Sequence, residues 1–178
     1  MESRAKAAGH AVHQQLVILP LGILALAVAF DVVGLVTDDA RLAFAAYLMI
    51  VVGVVAGLAA SVFGLVDYLA IPQGTRAKRV ALLHGAGNVV VLLLFALSAV
   101  LRGGASEDVP GVGAFVLGLV ALLLSGATGW LGGELVGRLG VGVDDDADLD
   151  APARLTTGVR LSGEITGEQP GGRTGTAR

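Results

Sequence analysis

The sequence predicts an all-α fold: a four-helix transmembrane bundle with short connections and a disordered C-terminal tail. Three observations carry that prediction. Hydrophobic residues make up 54% of the 178 positions and charged ones 15%, with a mean hydropathy of +0.79, well outside the balance of a soluble globular chain. Four apolar runs are each long enough to cross a bilayer core, which takes about 20 helical residues. After GVGV, which ends at Val143, the composition changes abruptly to acidic and then Gly/Thr-rich.

The runs fall at about 16–36, 44–69, 80–101 and 112–137. The first lies too far from Met1, and lacks the small-residue cleavage pattern, to read as a signal peptide; it is expected to be a retained helix. Pro20 within it removes a backbone donor, frees the carbonyl of Leu16 and predicts a kink. In the second run Gly53 and Gly57, and in the fourth Ser125, Gly129 and Gly133, form small-xxx-small rows that let helix backbones approach closely. The connections TDDARLA, PQGTRAK and RGGASEDVPG are short, so successive helices should be antiparallel neighbours. The chain thus divides into an N-terminal segment, 1–15, a four-helix membrane domain, 16–143, and a tail, 144–178.

The tail begins with five aspartates in seven residues, 144–150, and continues without apolar periodicity, which predicts disorder. Within it RLTTGVRLSGEI alternates weakly, as a strand added to a partner would. Lysine and arginine are distributed unequally about the spans. Arg4, Lys6, Arg76, Lys78, Arg79 and Arg138 lie on the side holding both termini, and Arg41 and Arg102 on the other. The positive-inside rule therefore places both termini in the cytoplasm. The small net charge of -3 speaks against nucleic acid as a partner, leaving membrane lipid and a homo-oligomer. With no cysteine, thiolate metal sites, cysteine-held iron–sulfur clusters and cysteine nucleophiles are excluded.

Ionisable side chains beside apolar spans invite a functional reading. His10 and His13 before the first helix, Asp67 ending the second, His84 starting the third and Glu134 ending the fourth are expected to share one layer on the cytoplasmic side. Two readings follow from those residue types. His13 and His84, with His10 as alternative ligand, would hold a b-type haem axially; alternatively His13, His84, Asp67 and Glu134 would hold a divalent metal. Asn88, Tyr68 and Arg76 are expected to support the layer. Asp67 is expected to pair with Arg76 or His84, Glu134 with Arg138, and Asp31 to be a hydrated helix-end residue. A rival reading makes the layer an interhelical hydrogen-bond network in a structural or assembly protein, and no enzymatic turnover is predicted. A small transporter is a third, weaker reading, because the polar groups gather at one end.

The stretches GHAVHQQLVILPLGILALAVAFD, GLVDYLAIPQGTRAKRVALLHGAGN and GWLGGELVGRLGVGV, in that order, resemble the bacterial membrane-protein family catalogued as domain of unknown function 2231, over about residues 9–143. The family's first motif reads Gly-His-Pro-x-His-Pro. His10, His13, Pro20, Gly22 and Asp31 match it, while Ala11 and Gln14 stand where prolines are usual. From the second motif Gly64, Asp67, Tyr68, Gly74, Thr75, Arg76, His84 and Asn88 match, and from the third Gly132, Gly133, Glu134 loosely, and the GVGV ending. The resemblance implies a bacterial inner-membrane protein. Because some relatives are joined to Rieske-type iron–sulfur domains, it also implies an electron-transfer setting, with any redox partner a separate protein.

Overall fold

A computed structural model of the chain describes residues 1–103 and 111–151. A two-stranded hairpin, β1 (Lys6–Ala7) and β2 (His10–Ala11), leads into α1 (Val12–Leu16) and α2 (Ile18–Thr37); α3 (Ala40–Ala70), α4 (Arg76–Leu101) and α5 (Val112–Gly137) follow. Four helical stretches, Val12–Thr37, Ala40–Ala70, Arg76–Leu101 and Val112–Gly137, are long and apolar enough to cross a membrane.

The helices start and stop where local chemistry dictates. Two helices begin before their apolar runs because polar first turns are capped: the Asp39 carboxylate accepts the N–H of Arg41, and the Thr75 hydroxyl accepts the N–H of Lys78. Between α2 and α3 the chain turns on Asp38 and Asp39 alone, with Asp38 in the left-handed region. The missing donor of Pro20 coincides with the break at Val17 that separates α1 from α2. Before α1, Ala8 and Gly9 both adopt positive φ, the two-residue turn whose twist suits a hairpin.

Helices α2 and α3 pack closely, as do α4 and α5, and these two hairpins meet through α3 against α4 and α5 against α2. The core between them is Leu24, Ala27, Val28, Ile50, Val91, Phe95 and Ala121, with Phe95, Ile50 and Ala121 wholly buried. Glycines make that contact possible: a Cβ on Gly53 would meet the Leu24 side chain at 2.6 Å, and one on Gly57 would meet Leu92 at 2.6 Å. Gly129 and Gly133 differ: among the described residues a Cβ on either would meet nothing within 4 Å. Less than a third of each span is buried inside the bundle; Val36, Leu69, Leu93 and Leu123 point outward, as lipid-facing residues do.

The N-terminal segment is folded onto one end of the bundle. Ser3 is buried and its hydroxyl lies 2.8 and 2.9 Å from the Asp67 carboxylate oxygens, while the N–H of Arg4 donates to Asp67 at 2.8 Å. Lys6 bridges Glu2, at 2.7 Å, and Asp144, and Gly142 N–H donates to the Met1 carbonyl. Met1–Ala147 forms one compact unit; beyond it the Ala151 N–H closes a turn on the Asp148 carbonyl. The stretch RLTTGVRLSGEI, the rest of the expected disordered tail beyond residue 151, and residues 104–110 of the third connection lie outside the described residues.

Candidate functional site

The two spans that open each hairpin carry a histidine near the same end, and both side chains are held alike. His13 Nδ1 lies 2.9 Å from the carbonyl oxygen of Ala60 on α3; His84 Nδ1 lies 2.8 Å from that of Thr128 on α5. A carbonyl only accepts, so each Nδ1 carries its proton, and an imidazole in that tautomer keeps its lone pair on Nε2. Room for the rings comes from a glycine one turn further along the partner helix. A Cβ on Gly64 would stand 2.9 Å from His13 Cε1, and one on Gly132 would stand 3.1 Å from His84 Cε1. The two imidazoles meet across the hairpin interface with centroids 6.4 Å apart and planes nearly perpendicular, at 88°.

Asn88, one turn after His84, braces this arrangement. Its amide nitrogen donates to the His84 carbonyl at 2.9 Å, and its carbonyl oxygen accepts the Thr128 hydroxyl at 3.0 Å. The same nitrogen is 3.2 Å from His84 Nε2 and 3.4 Å from Nδ1. A bond in the ring plane to Nε2 would leave Nδ1 about 2 Å further away, so the amide lies over the ring face and the Nε2 lone pair is not engaged by it. His13 Nε2 makes no hydrogen bond among the described residues.

The other residues expected in this layer have different partners. His10 sits in β2, exposed, with its ring on the Ala8 carbonyl; it is not one helical turn from His13, because the helix begins only at Val12. Asp67 is occupied by Ser3 and Arg4 of the N-terminal segment rather than by Arg76 or His84. Glu134 pairs with Arg76 at 2.7 Å, across the gap between α5 and α4, rather than with Arg138 on its own helix. Tyr68 supports a different cation: buried Lys78 donates to its carbonyl at 2.7 Å and lies 3.8 Å over its ring, neutralising the C-terminal end of α3. Among the described residues no three His, Asp or Glu side chains converge as a metal shell would require. The four-residue shell of His13, His84, Asp67 and Glu134 is therefore not assembled, and what remains is a two-imidazole site.

At the opposite end the expectation for Asp31 is corrected. It is not a hydrated end residue: it is wholly buried, and Arg102 grips both its oxygens at 2.7 and 2.6 Å. Arg102, which by sequence reads as a loop arginine, is itself buried at the C-cap of α4. Ser98 completes the cluster, donating to the Ala114 carbonyl at 2.7 Å and accepting from the Arg102 guanidinium. Sequence reasoning missed the pair because it counted Arg102 with the loop charges; the signal lay in the one-turn spacing of Ser98 and Arg102 continuing the α4 face.

Eighteen residues separate His13 from Asp31, about 27 Å along a helix, and the apolar core fills the interval.

The sequence matches the model of a family described as "Predicted membrane protein (DUF2231)" over residues 9–145. No curated protein and no solved structure matches.

Proposed function

Because the chain belongs to the DUF2231 family of predicted membrane proteins, whose description assigns no activity, we propose its function from the imidazole pair: a redox-associated membrane subunit holding one metal centre between His13 and His84. The separation of the rings carries this reading. A metal bound by both imidazoles at about 2.0–2.1 Å, each nitrogen about 1.1 Å from its ring centre, would hold the ring centres at most ~6.2–6.4 Å apart, and the 6.4 Å found lies at that limit. Both rings present the Nδ1–H tautomer anchored to a backbone carbonyl, the outer hydrogen bond that ligating histidines characteristically make.

Two protein ligands fit a centre whose remaining positions are filled by its own macrocycle better than a bare divalent ion, which would call on carboxylates that Ser3, Arg4 and Arg76 already occupy. A b-type haem is the group of that description, and it supplies one-electron chemistry when bound. The chain's own residues hold and orient the rings: the Ala60 and Thr128 carbonyls fix their tautomer, Gly64 and Gly132 give them space, and Asn88 fixes His84 against rotation. Separate redox proteins are the partners this role requires.

The orientation is part of the proposal. Arg4, Lys6, Arg76, Lys78, Arg79 and Arg138 gather at the imidazole end, and with Arg102 buried in its ion pair, Arg41 in the first turn of α3 is the cation left exposed at the other. That asymmetry supports an inner-membrane protein with the imidazole end, and both termini, in the cytoplasm.

The structural alternative draws on the same hydrogen bonds, since each imidazole also ties two helices together. Elemental analysis of gently purified protein and of His13→Ala and His84→Ala separates the two. The redox reading expects each variant to lose the bound metal and keep its helices, with Asp67→Asn and Glu134→Gln retaining it; undiminished metal in His84→Ala contradicts it.

A further inference from the structure

The two hairpins share a residue-by-residue correspondence. His84 follows His13 by 71 residues, and the same interval separates Pro20 from Val91, Leu24 from Phe95, Ala27 from Ser98 and Asp31 from Arg102. All of the last four pairs are buried on both sides. In the returning helices the interval is 68 residues: Ala46 and Ala114, Ile50 and Gly118, Gly53 and Ala121, Ala60 and Thr128 are buried pairwise. The carbonyls that receive the two imidazoles, and Gly64 and Gly132 beneath them, obey that interval too.

The direct contacts give the symmetry. In a twofold arrangement a residue meets its own equivalent only on the axis. His13 faces His84 at one end of the bundle and Asp31 grips Arg102 at the other, so two points on one axis are marked, and the axis runs along the helices between α2 and α4. Both hairpins therefore run in the same direction, as in parallel repeats of membrane proteins.

One pair on the axis breaks the symmetry, and it does so in charge. Were the first hairpin to pair with a second copy of itself, Asp31 would face Asp31 in a site wholly closed to water; two copies of the second hairpin would oppose Arg102 to Arg102. Only the first with the second brings opposite charges together. We infer that the membrane domain is a tandem repeat of one helical hairpin, and that the Asp31–Arg102 pair is the lock by which the first hairpin selects the second rather than a hairpin from another copy of the chain. The lock holds whatever the imidazole pair binds. An ion pair that costs desolvation is retained here for selectivity, because like charges at this point exclude the competing assembly.

Charge exchange in the full-length chain tests this. Asp31→Arg and Arg102→Asp each place like charges on the axis and should lower the melting temperature in mild detergent by ~10 °C or more, or abolish folded yield. The double exchange, Asp31→Arg with Arg102→Asp, should recover at least half of that loss, in melting temperature or in folded yield. A local role for Arg102, as a partner of Ser98 and of the α4 C-terminus, predicts no recovery, and a double variant as poor as the worse single one overturns the lock. Asp31→Asn with Arg102→Gln removes the repulsion without introducing charge. Differently tagged full-length chains of that variant should copurify more than wild-type chains do, by hairpin exchange, and copurification unchanged from wild type also overturns the proposal.

Discussion

Substituting Gly64 by alanine tests how closely the imidazole site is built. The new Cβ would stand 2.9 Å from both Cε1 and Nδ1 of His13, against an ordinary contact of 3.4–4 Å, so the ring must retreat by ~0.5 Å or more. That movement lengthens the Nδ1 contact with the Ala60 carbonyl from 2.9 Å to about 3.4 Å and weakens that hydrogen bond. Overpacking costs about 1–3 kcal/mol and the weakened bond up to about 1 kcal/mol, offset by roughly 1 kcal/mol of improved helix propensity. The net expectation is a destabilisation of about 1–3 kcal/mol. Gly129→Ala is the control, since a Cβ there meets nothing within 4 Å and leaves the propensity gain alone. Gly132→Ala, with its contacts to His84 at 3.1 and 3.4 Å, should lie between them. Unfolding in mixed micelles followed by circular dichroism gives the order, and Gly64→Ala as stable as Gly129→Ala would refute the close fit of ring to glycine.

Two further predictions concern the ends of the bundle. Ser98→Ala removes the donor to the Ala114 carbonyl and one acceptor for Arg102, and should destabilise by about 1–3 kcal/mol in the same assay; no change would show that the serine does not brace the ion pair. At the other end, hydrogen bonds from Lys6 and from the Asp145 N–H hold the Glu2 carboxyl below its ordinary value, while those to Asp144 and Glu2 raise the Lys6 ammonium. The Glu2 contribution is therefore present above the ordinary carboxylate range and lost as pH falls through its lowered value. The Lys6 contribution is present below the ordinary lysine value and lost as pH rises through its raised one. Hydrogen exchange of residues 1–11, corrected for intrinsic rates, should keep its protection as pH is lowered through the ordinary carboxylate value of 4.5 and lose it only below, and the same profile in Glu2→Gln would contradict this assignment.

Periodicity and composition made the architecture legible. Apolar runs near 20 residues admit little but membrane-crossing helices, and short connections admit little but antiparallel neighbours. Helix starts at Ala40 and Arg76 were hidden because hydropathy is blind to caps: Asp39 and Thr75 extend the helices into polar sequence. Of the candidate site, His13 and His84 could be placed at one end from their positions in successive spans. Their pairing with carbonyls at Ala60 and Thr128 could not, since which helix face meets which depends on packing. The carboxylates show the same limit. Asp67 and Glu134 lie at the expected depth, yet Asp67 is taken by Ser3, 64 positions away, and Glu134 by Arg76, 58 positions away. The internal repeat escaped because few identities survive along it. What persists is the pattern of burial and the pairing of His13 with His84 and Asp31 with Arg102, visible only once the hairpins face each other.

The absorption spectrum of the gently purified, chelator-free protein, with iron counted per chain, tests the central claim most directly. The account predicts a six-coordinate bis-imidazole haem spectrum at about one iron per chain. A folded protein with no such spectrum and only trace metal would contradict it, and would leave His13 and His84 as hydrogen-bonded clamps between helices.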